Sequence, residues 1–168
     1  MLTKTKLLEK LSDSKKNFTI FEHEAFFTVN DSTHKRGQIK GAHTKNLFLK
    51  NKKNKFFLIS CHESSLIDLK KLSKSLNLGN ISFANKDYLL KYLGVQPGSV
   101  SPFGLLNDMG NIVEFYIDNS LKKFDKINFH PLINTSTINM GFDEFIDFLI
   151  ENNKKVNIFD FDNYSLIG

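Results

Sequence analysis

Tryptophan is absent from the 168-residue sequence, which also has only one cysteine and three prolines. A single cysteine cannot form an intramolecular disulfide, and this excludes a small secreted domain held together by disulfides. No stretch approaches the roughly 18 consecutive apolar residues of a membrane-spanning helix. Charges and hydroxyls recur through residues 1–16, so the first residues lack the apolar core of a signal peptide. We therefore expect a cytoplasmic protein with no membrane span.

The composition has none of the biases of disordered or fibrous chains. Hydrophobic residues make up 40% of the sequence and charged residues 24%, which are ordinary globular values. Internal repeats, low-complexity linkers and proline runs are missing. Without tryptophan, the 17 phenylalanines are expected to dominate the core. The length and the lack of a linker predict a single domain over residues 1–168, and we expect a monomer.

Positive charge is concentrated in the first half of the chain. The net charge is +5, but residues 1–84 have 16 Lys and Arg against 7 Asp and Glu, whereas residues 85–168 have 7 against 11. Such asymmetry indicates a face that binds a polyanion such as a nucleic acid. Lysine-rich surfaces are also common on proteins that bind no nucleic acid, so the charge alone leaves both interpretations open.

Hydrophobic periodicity and turn residues predict interspersed helices and strands. Helices are predicted over residues 3–12, 65–76, 85–93 and 142–150. Strands are predicted over residues 17–21, 26–29, 46–50, 56–60, 112–118, 135–139 and 156–159, with a polar loop over residues 30–41. Residues 51–55 form a lysine-rich turn between two of these strands, which is typical of a hairpin. Hairpin-like connections favour a mixed α+β fold over a doubly wound parallel sheet.

Common catalytic motifs are missing, which narrows the possible reactions. The sequence has no G-x-S-x-G elbow, no Walker phosphate loop and no G-x-G-x-x-G loop. His23-Glu24 and His62-Glu63 resemble the start of a zinc-protease helix, but neither has a second histidine one turn later. We therefore predict no metal site and no cofactor. Cys61 ends the apolar run FFLISC and is predicted to be a buried structural thiol, with His62 on the opposite face of the strand.

Three segments do not fit a simple division into core and surface. Lys45 and Asn46 lie where a polar loop enters an apolar strand. They could be a solvated lysine and a capping asparagine, or an ammonium and an amide that hold a substrate. Residues 94–104 contain two prolines and three glycines, which fix a backbone path whose N–H and C=O groups are accessible to a ligand. His130 precedes Pro131 and is therefore held in extended geometry, which can aim the imidazole out of a strand end.

Together the three segments carry a family resemblance. GAHTKNLFLK, LGVQPGSVSPFGLLND and NFHPLINTSTI, in this order and at this spacing, resemble the YbaK/ProX family of free-standing aminoacyl-tRNA editing domains, and most of all its ProX-type prolyl-tRNA editing branch. The resemblance extends from about residue 18 to residue 149. It implies a compact mixed α+β fold built around a mostly antiparallel, barrel-like sheet flanked by helices.

The resemblance also implies a set of site residues. The family's essential lysine corresponds to Lys45, the asparagine that follows it to Asn46, and its site histidine to His130. Its G-x-x-x-P loop corresponds to Gly98, Ser99, Val100, Ser101 and Pro102. Walls of a small substrate pocket are expected at Phe27, Val29 and Phe129. One departure is Lys40-Gly41, where family members usually have Pro-Gly.

The implied activity is trans-editing, which is hydrolysis of the ester that joins alanine to mischarged tRNA(Pro), without a metal or a cofactor. Lys45 would hold phosphate or ribose oxygens, residues 98–102 would orient the substrate and a water molecule, and His130 would position the substrate. A pocket that admits alanine would exclude the bulkier proline. The implied partners are the acceptor end of tRNA(Pro) and prolyl-tRNA synthetase. Two alternatives stay open: a Cys-tRNA(Pro) deacylase of the same family, and a non-catalytic RNA-binding module.

The basic residues on either side of Lys45 in the sequence are the candidate RNA contacts. They belong to the predicted hairpin and to the loop before it: Lys50, Lys52, Lys53, Lys55, Lys35, Arg36 and Lys40. In these positions they could surround the site that receives the ester end of the tRNA.

Overall fold

Helices and strands alternate along the chain in the computed structural model, which describes residues 1–25 and 39–168. The α-helices are α1 (Lys4–Asp13), α2 (Leu69–Leu76), α3 (Lys86–Tyr88) and α4 (Phe142–Glu151). A π-helical turn, Leu89–Leu93, continues α3, and 3₁₀ segments span Pro102–Asn107 and Asn119–Lys123. The strands are β1 (Phe18–Glu22), β2 (Ala42–Asn51), β3 (Phe56–His62), β4 (Ile81–Phe83), β5 (Val113–Asp118), β6 (Ile127–Phe129), β7 (Ser136–Met140), β8 (Asn157–Asp160) and β9 (Ser165–Leu166). None of the helices in these ranges is long and apolar enough to cross a membrane.

One mixed sheet contains the nine strands of the described residues. Its order is β1-β7-β6-β2-β3-β5-β8-β9, and β4 adds to the edge of β2 that faces away from β3. Three pairings are parallel, namely β2 with β6, β3 with β5 and β5 with β8. The other five are antiparallel. This confirms the predicted mixed α+β fold, with a mostly antiparallel sheet flanked by helices.

The central β2–β3 hairpin is buried on both sides of the sheet. Side chains alternate between the two faces of a strand, and here both faces carry apolar residues. One set packs into the larger core, together with side chains of α1 and α4: Phe48, Phe56 and Leu58. The alternate set packs into a smaller core together with Leu72 of α2: Leu49, Phe57 and Ile59. The two sides are called below the α1/α4 face and the α2 face.

Capping side chains set helix boundaries close to those that the sequence predicts. The side chain of Asn85 accepts two main-chain N–H groups at the start of α3, and Gly94 ends the π-helical turn with a φ of 66°. The predicted helix 85–93 therefore has the expected ends, but only Lys86–Tyr88 is α-helical. The predicted helix 65–76 begins later, at Leu69, because the Asp68 carboxylate caps the first N–H groups of α2.

Strands differ from the prediction mainly where they are short. β2 begins at Ala42 rather than at residue 46, so the polar approach to Lys45 is itself part of the sheet. The sequence does not predict β4, β6 or β9, because two or three residues are too few to show an alternating pattern. Several predictions lie outside the described residues: the strand 26–29, most of the loop 30–41, and the roles of Phe27, Val29, Lys35 and Arg36.

Candidate active site

Part of one edge of β2 has no neighbouring strand among the described residues. β3 pairs with β2 along most of its length, whereas on the other edge β6 pairs only at residues 42 and 43, and β4 only at residues 49–51. Asn46 lies in the gap between them, and its Nδ2 donates to the carbonyl oxygen of Val100 at 3.2 Å. The loop of residues 98–102 is therefore attached to β2 between the part that pairs with β6 and the part that pairs with β4.

Asn46 also connects this loop to the neighbouring strand. Its Oδ1 accepts the hydroxyl of Ser60, which lies directly opposite on β3. Ser60 is fully buried, and a buried hydroxyl without a partner would be costly. Because both ends of the Asn46 amide are engaged, the amide holds β2, β3 and the loop in one arrangement. The sequence predicts that Asn46 either caps the strand or holds a substrate, and it does not predict this clamping role.

The loop of residues 98–102 is ordered by its own hydrogen bonds. Ser99 N–H donates to Gln96 O at 3.0 Å, and Ser101 caps the following 3₁₀ segment through its hydroxyl and its carbonyl. Gly98 has a φ of +90°, which favours glycine. Within the described part of the chain, the N–H groups of Gly98, Val100 and Ser101 have no acceptor. Gly98 is exposed and Val100 is half-buried, so their N–H groups lie near the surface, whereas Ser101 is fully buried.

His130 follows β6 and has a defined orientation. Its Nδ1 lies 2.9 Å from the carbonyl oxygen of Ser136. A carbonyl can only accept, so Nδ1 carries the hydrogen, and in the neutral ring Nε2 carries the lone pair. The His130 ring lies 6.2 Å from that of His23, whose Nε2 in turn contacts the Thr137 hydroxyl at 2.8 Å. The imidazole is therefore held by β7 at the end of a short strand.

Phe129 belongs mostly to the core. Its ring stacks on Phe145 at 4.5 Å and meets Phe103 edge to face at 6.1 Å. It is 2% exposed, so it cannot move aside for a ligand without disturbing the α1/α4 core. Such a rigid wall is well suited to discriminating between ligands by size.

A small polar cavity brings several of the predicted residues together. Its lining in the described part of the chain consists of His43, Thr44, Asn46, Asn128, Phe129, His130 and Thr137. The cavity volume is about 30 Å³, which is room for about two water molecules. Hydroxyl, amide and imidazole groups provide the polar partners that such a water needs. Asn46 and the pair Phe129 and His130 come from two separate predicted segments and meet around one cavity, and Asn46 attaches the 98–102 loop to it.

Two buried asparagines hold this region together, and the sequence analysis missed both. Asn128 on β6 and Asn139 on β7 lie opposite each other, and Asn139 Nδ2 donates to Asn128 Oδ1 at 2.8 Å. Both amides also donate to the carbonyl oxygen of Lys40, at 3.1 and 2.8 Å. They fix the chain just before β2 begins. The available signal was an asparagine inside each of two apolar stretches, where a polar side chain needs a specific partner.

Lys45 does not line this cavity. Neighbouring residues of a strand point to opposite faces, so Lys45 lies on the α2 face, whereas Asn46 lies on the α1/α4 face. Its half-buried side chain reaches the turn after β3, where Nζ donates to the carbonyl oxygen of Ser65. The structure therefore places the predicted lysine one residue from the cavity, with its ammonium held by a main-chain carbonyl.

Cys61 lies opposite Lys45 on β3 and is fully buried, as predicted. Burial raises the pKa of its thiol to about 12, although the nearby Lys45 ammonium acts in the opposite direction. The thiol is therefore protonated at neutral pH and a poor nucleophile. Among the described residues, no group of three or more His, Cys, Asp and Glu side chains is placed to hold a metal ion.

Comparison with known proteins identifies the family to which this chain belongs. Residues 23–148 match the family model of the aminoacyl-tRNA editing domain. The crystal structure of a candidate trans-editing enzyme for prolyl-tRNA synthetase superposes with a TM-score of 0.68 and covers 100% of this chain and 99% of that one. At 15% sequence identity, this likeness shows the fold alone.

Two curated relatives are similar over most of their length. The prolyl-tRNA synthetase associated domain-containing protein 1 of Xenopus laevis is 36% identical over 146 residues, covering 84% of this chain and 86% of that protein. The prolyl-tRNA editing protein ProX of Acetoanaerobium sticklandii is 32% identical over 145 residues, covering 86% and 88%. The chain belongs to the aminoacyl-tRNA editing domain family, and the resemblance seen in its sequence motifs is confirmed.

Proposed function

We propose that this protein hydrolyses the aminoacyl ester of mischarged tRNA(Pro) in trans, with alanine as the amino acid that it removes. The observation that supports this most is the meeting of three separate segments. Asn46 binds the carbonyl of Val100 in the 98–102 loop, and it shares one polar cavity with Phe129 and His130. The curated relative ProX is named a prolyl-tRNA editing protein, and this name points to the same substrate.

The proposed reaction needs only a positioned water and stabilisation of developing charge. The water oxygen bonds to the ester carbonyl carbon, the bond from that carbon to the ribose oxygen breaks, and the water proton passes to that oxygen. The polar cavity would hold the water, with His130 Nε2 orienting it. The main-chain N–H groups of Gly98 and Val100 would stabilise the negative charge on the carbonyl oxygen. An ester is already reactive, so no nucleophilic side chain is required.

Lys45 has a positioning role in this proposal. A lysine ammonium is a compact charge on a flexible four-carbon stem. It can exchange the Ser65 carbonyl for a phosphate or ribose oxygen of the tRNA end without a change in the strand. The ester would then be drawn to the edge of β2 where Asn46 holds the loop. The charge is used for binding and orientation rather than for proton transfer.

The proposed preference for alanine rests on size. Phe129 is fixed between Phe103 and Phe145 and cannot give way. A larger side chain such as that of proline is excluded sterically, which is easier to achieve than rejection of a smaller one. Cysteine differs from alanine by one sulfur atom, so the same wall discriminates less strongly between these two. The relevant partners are then the acceptor end of tRNA(Pro) and prolyl-tRNA synthetase in the cytoplasm, with the chain acting as a single-domain monomer.

The direct test is single-turnover deacylation of tRNA(Pro) charged with alanine, cysteine or proline. We expect rapid loss of alanine, slower loss of cysteine, and loss of proline at the rate in buffer. Hydrolysis of the cysteine ester in preference to alanine would reassign the substrate within the same reaction. If the protein binds all three RNAs but hydrolyses none above the buffer rate, it is an RNA-binding module and not a deacylase.

Activity should survive both a chelator and a thiol reagent. Cys61 is fully buried and its thiol pKa is raised to about 12, so iodoacetamide finds almost no thiolate in the folded protein. We expect unchanged single-turnover rates after EDTA or iodoacetamide treatment, and no alkylation by mass spectrometry. The same reagent should alkylate Cys61 fully once the protein is unfolded. Inhibition by EDTA that zinc reverses would reveal a metal site and contradict the proposed reaction.

The lysines of the β2–β3 turn should contribute to tRNA affinity but not to chemistry. Asn51 Oδ1 accepts the N–H groups of Lys53 and Lys55, each at 3.0 Å, so the turn is rigid and presents exposed lysines. Lys52 lies six positions along the chain from Asn46, just beyond the end of β2, which is about 20 Å of extended chain. These lysines would therefore contact the acceptor stem rather than the ester. Each phosphate contact with duplex contributes a salt slope of about −0.9.

The double variant Lys52→Glu/Lys53→Glu tests this contact. We expect KM for alanyl-tRNA to rise several-fold, the plot of log affinity against log salt to flatten, and kcat to change little. Lys6→Glu/Lys10→Glu, on the exposed side of α1, changes the net charge by the same amount and should leave the slope unaltered. Equal effects of the two double variants would show that only overall charge matters. An unchanged KM for Lys52→Glu/Lys53→Glu would show that the RNA binds to another surface of the protein.

A further inference from the structure

A stacked pair of rings lies beside the cavity and has no role in the reaction described so far. The imidazole of His62, at the end of β3, stacks on Phe124 with ring centroids 5.4 Å apart and planes 24° apart. Phe124 is 40% exposed, although it is a large aromatic residue with a core available nearby. It follows the 3₁₀ segment Asn119–Lys123 and precedes β6, so it lies between the ends of two strands.

The sheet register places this pair next to the cavity. His62 is directly opposite Thr44 on β2, and Thr44 lines the cavity. Opposite residues of antiparallel strands have Cβ atoms about 5 Å apart. Even-numbered residues of β3 face the α1/α4 side, so His62 points to the same side of the sheet as Asn46. A group bound on the rings would therefore lie within one nucleotide of a group bound in the cavity.

Hydrogen bonds hold the turn that carries His62. Its Nδ1 accepts the N–H of Ser64 at 3.1 Å and faces the Ser64 hydroxyl at 2.7 Å, so in the neutral ring Nε2 carries the hydrogen. That Nε2–H has no acceptor in the described part of the chain. The turn is also bound by Lys45, through the carbonyl of Ser65. The turn that carries the His62 ring is thus rigid and is linked to Lys45, and the ring presents its Nε2–H as a free donor.

Charge around the rings suits a nucleic acid. The exposed Lys122 and Lys123 come just before Phe124, and Lys126 just after it. The carboxylates of Asp125 and Glu63 offset part of this positive charge. Bases of single strands are bound in this way in general, by stacking on an aromatic face beside positive charge. Here the stacking surface adjoins the cavity in which the ester is proposed to react.

We propose that Phe124 and His62 bind the terminal nucleobase of the aminoacylated strand, Phe124 by stacking on its exposed ring face and His62 by donating from Nε2. This inference rests on the proposed function, because it identifies the part of the substrate that lies next to the scissile ester. It makes Phe124 a positioning residue that touches the base and not the reacting atoms.

A short RNA of the acceptor strand with 2-aminopurine as its last base reports stacking directly. We expect wild-type protein to quench its fluorescence. Phe124→Leu should weaken both the quenching and the affinity, by about tenfold, because the base loses its aromatic stacking partner. Phe124→Tyr should restore both. Phe83→Leu, which removes the exposed ring of β4, is the matched control and should bind as wild type does.

Kinetics separate this inference from the proposed function. With an alanylated minihelix, Phe124→Leu should raise KM about tenfold with little change in kcat, and with alanine methyl ester, which has no base, it should match wild type. Wild-type protein that quenches 2-aminopurine but hydrolyses no alanyl ester would keep the base site and reject the reaction. If the wild type hydrolyses the ester and Phe124→Leu has the same KM and the same quenching as wild type, the base site is rejected and the proposed reaction stands.

Discussion

Lys45→Ala is expected to lower kcat/KM for alanyl-tRNA(Pro) deacylation by at least about 100-fold while the fold stays intact. The lysine is half-buried, and the only partner of its ammonium among the described residues is the carbonyl of Ser65. Its loss costs one hydrogen bond of roughly 1 kcal/mol. If the ammonium instead orients the ester end of the substrate, the loss resembles removal of one donor from a preorganised site, which is about 10²–10³ in rate.

The measurements for this variant are single-turnover hydrolysis and thermal unfolding. Lys154→Ala is the matched control, because the Lys154 ammonium is also held by a main-chain carbonyl, that of Asp108 at 2.7 Å, and lies outside the cavity. It should lose some stability and no activity. Lys45→Arg should stay impaired, because a planar guanidinium does not replace a compact ammonium. Near wild-type rates for Lys45→Ala would remove Lys45 from the site.

The sequence motifs name three segments, and the structure brings parts of all three together around the candidate cavity. A loop with two prolines and three glycines had to expose main-chain groups, and His130 before a proline had to lie in extended backbone. The structure brings both to Asn46, in agreement with the sequence motifs. These expectations depend on local backbone chemistry, which the neighbouring residues determine, so the sequence can carry them.

The pairing of distant segments could not be predicted in this way. β6 has three residues and joins the sheet through β2 and β7, so its position depends on contacts such as that of Asn128 with the Lys40 carbonyl, 88 residues away. No local pattern encodes such a contact. The orientation of Lys45 is a different case: the two-residue period of a strand already implies that Lys45 and Asn46 point apart. Treating them as a side-by-side pair neglected that rule.

Gly41→Ala is expected to destabilise the protein by about 2–4 kcal/mol and to disturb the cavity. Gly41 has a φ of +99°, which is strained for any residue with a Cβ. A Cβ there would also lie 2.5 Å from the carbonyl oxygen of Lys126. This oxygen accepts the N–H of Ala42 at 2.9 Å, and it marks where β2 and β6 come together. The clash therefore pushes β2, which carries Asn46, apart from β6, which His130 directly follows.

Gly79→Ala separates the two causes of the expected loss of stability, which are backbone strain and the clash of the new Cβ. Gly79 has a φ of +75°, but no atom lies within 4 Å of the position that a Cβ would take, so its replacement adds backbone strain without a clash. For a chain of this size, 1 kcal/mol corresponds to about 2–4 °C in Tm. We expect Gly79→Ala to lower Tm by a few degrees with full activity, and Gly41→Ala to lower it by about 5–12 °C with slower deacylation even well below its Tm. Equal Tm values for the two variants would mean that β2 and β6 can shift to accept the methyl group, and that the close approach at Gly41 does not define the cavity.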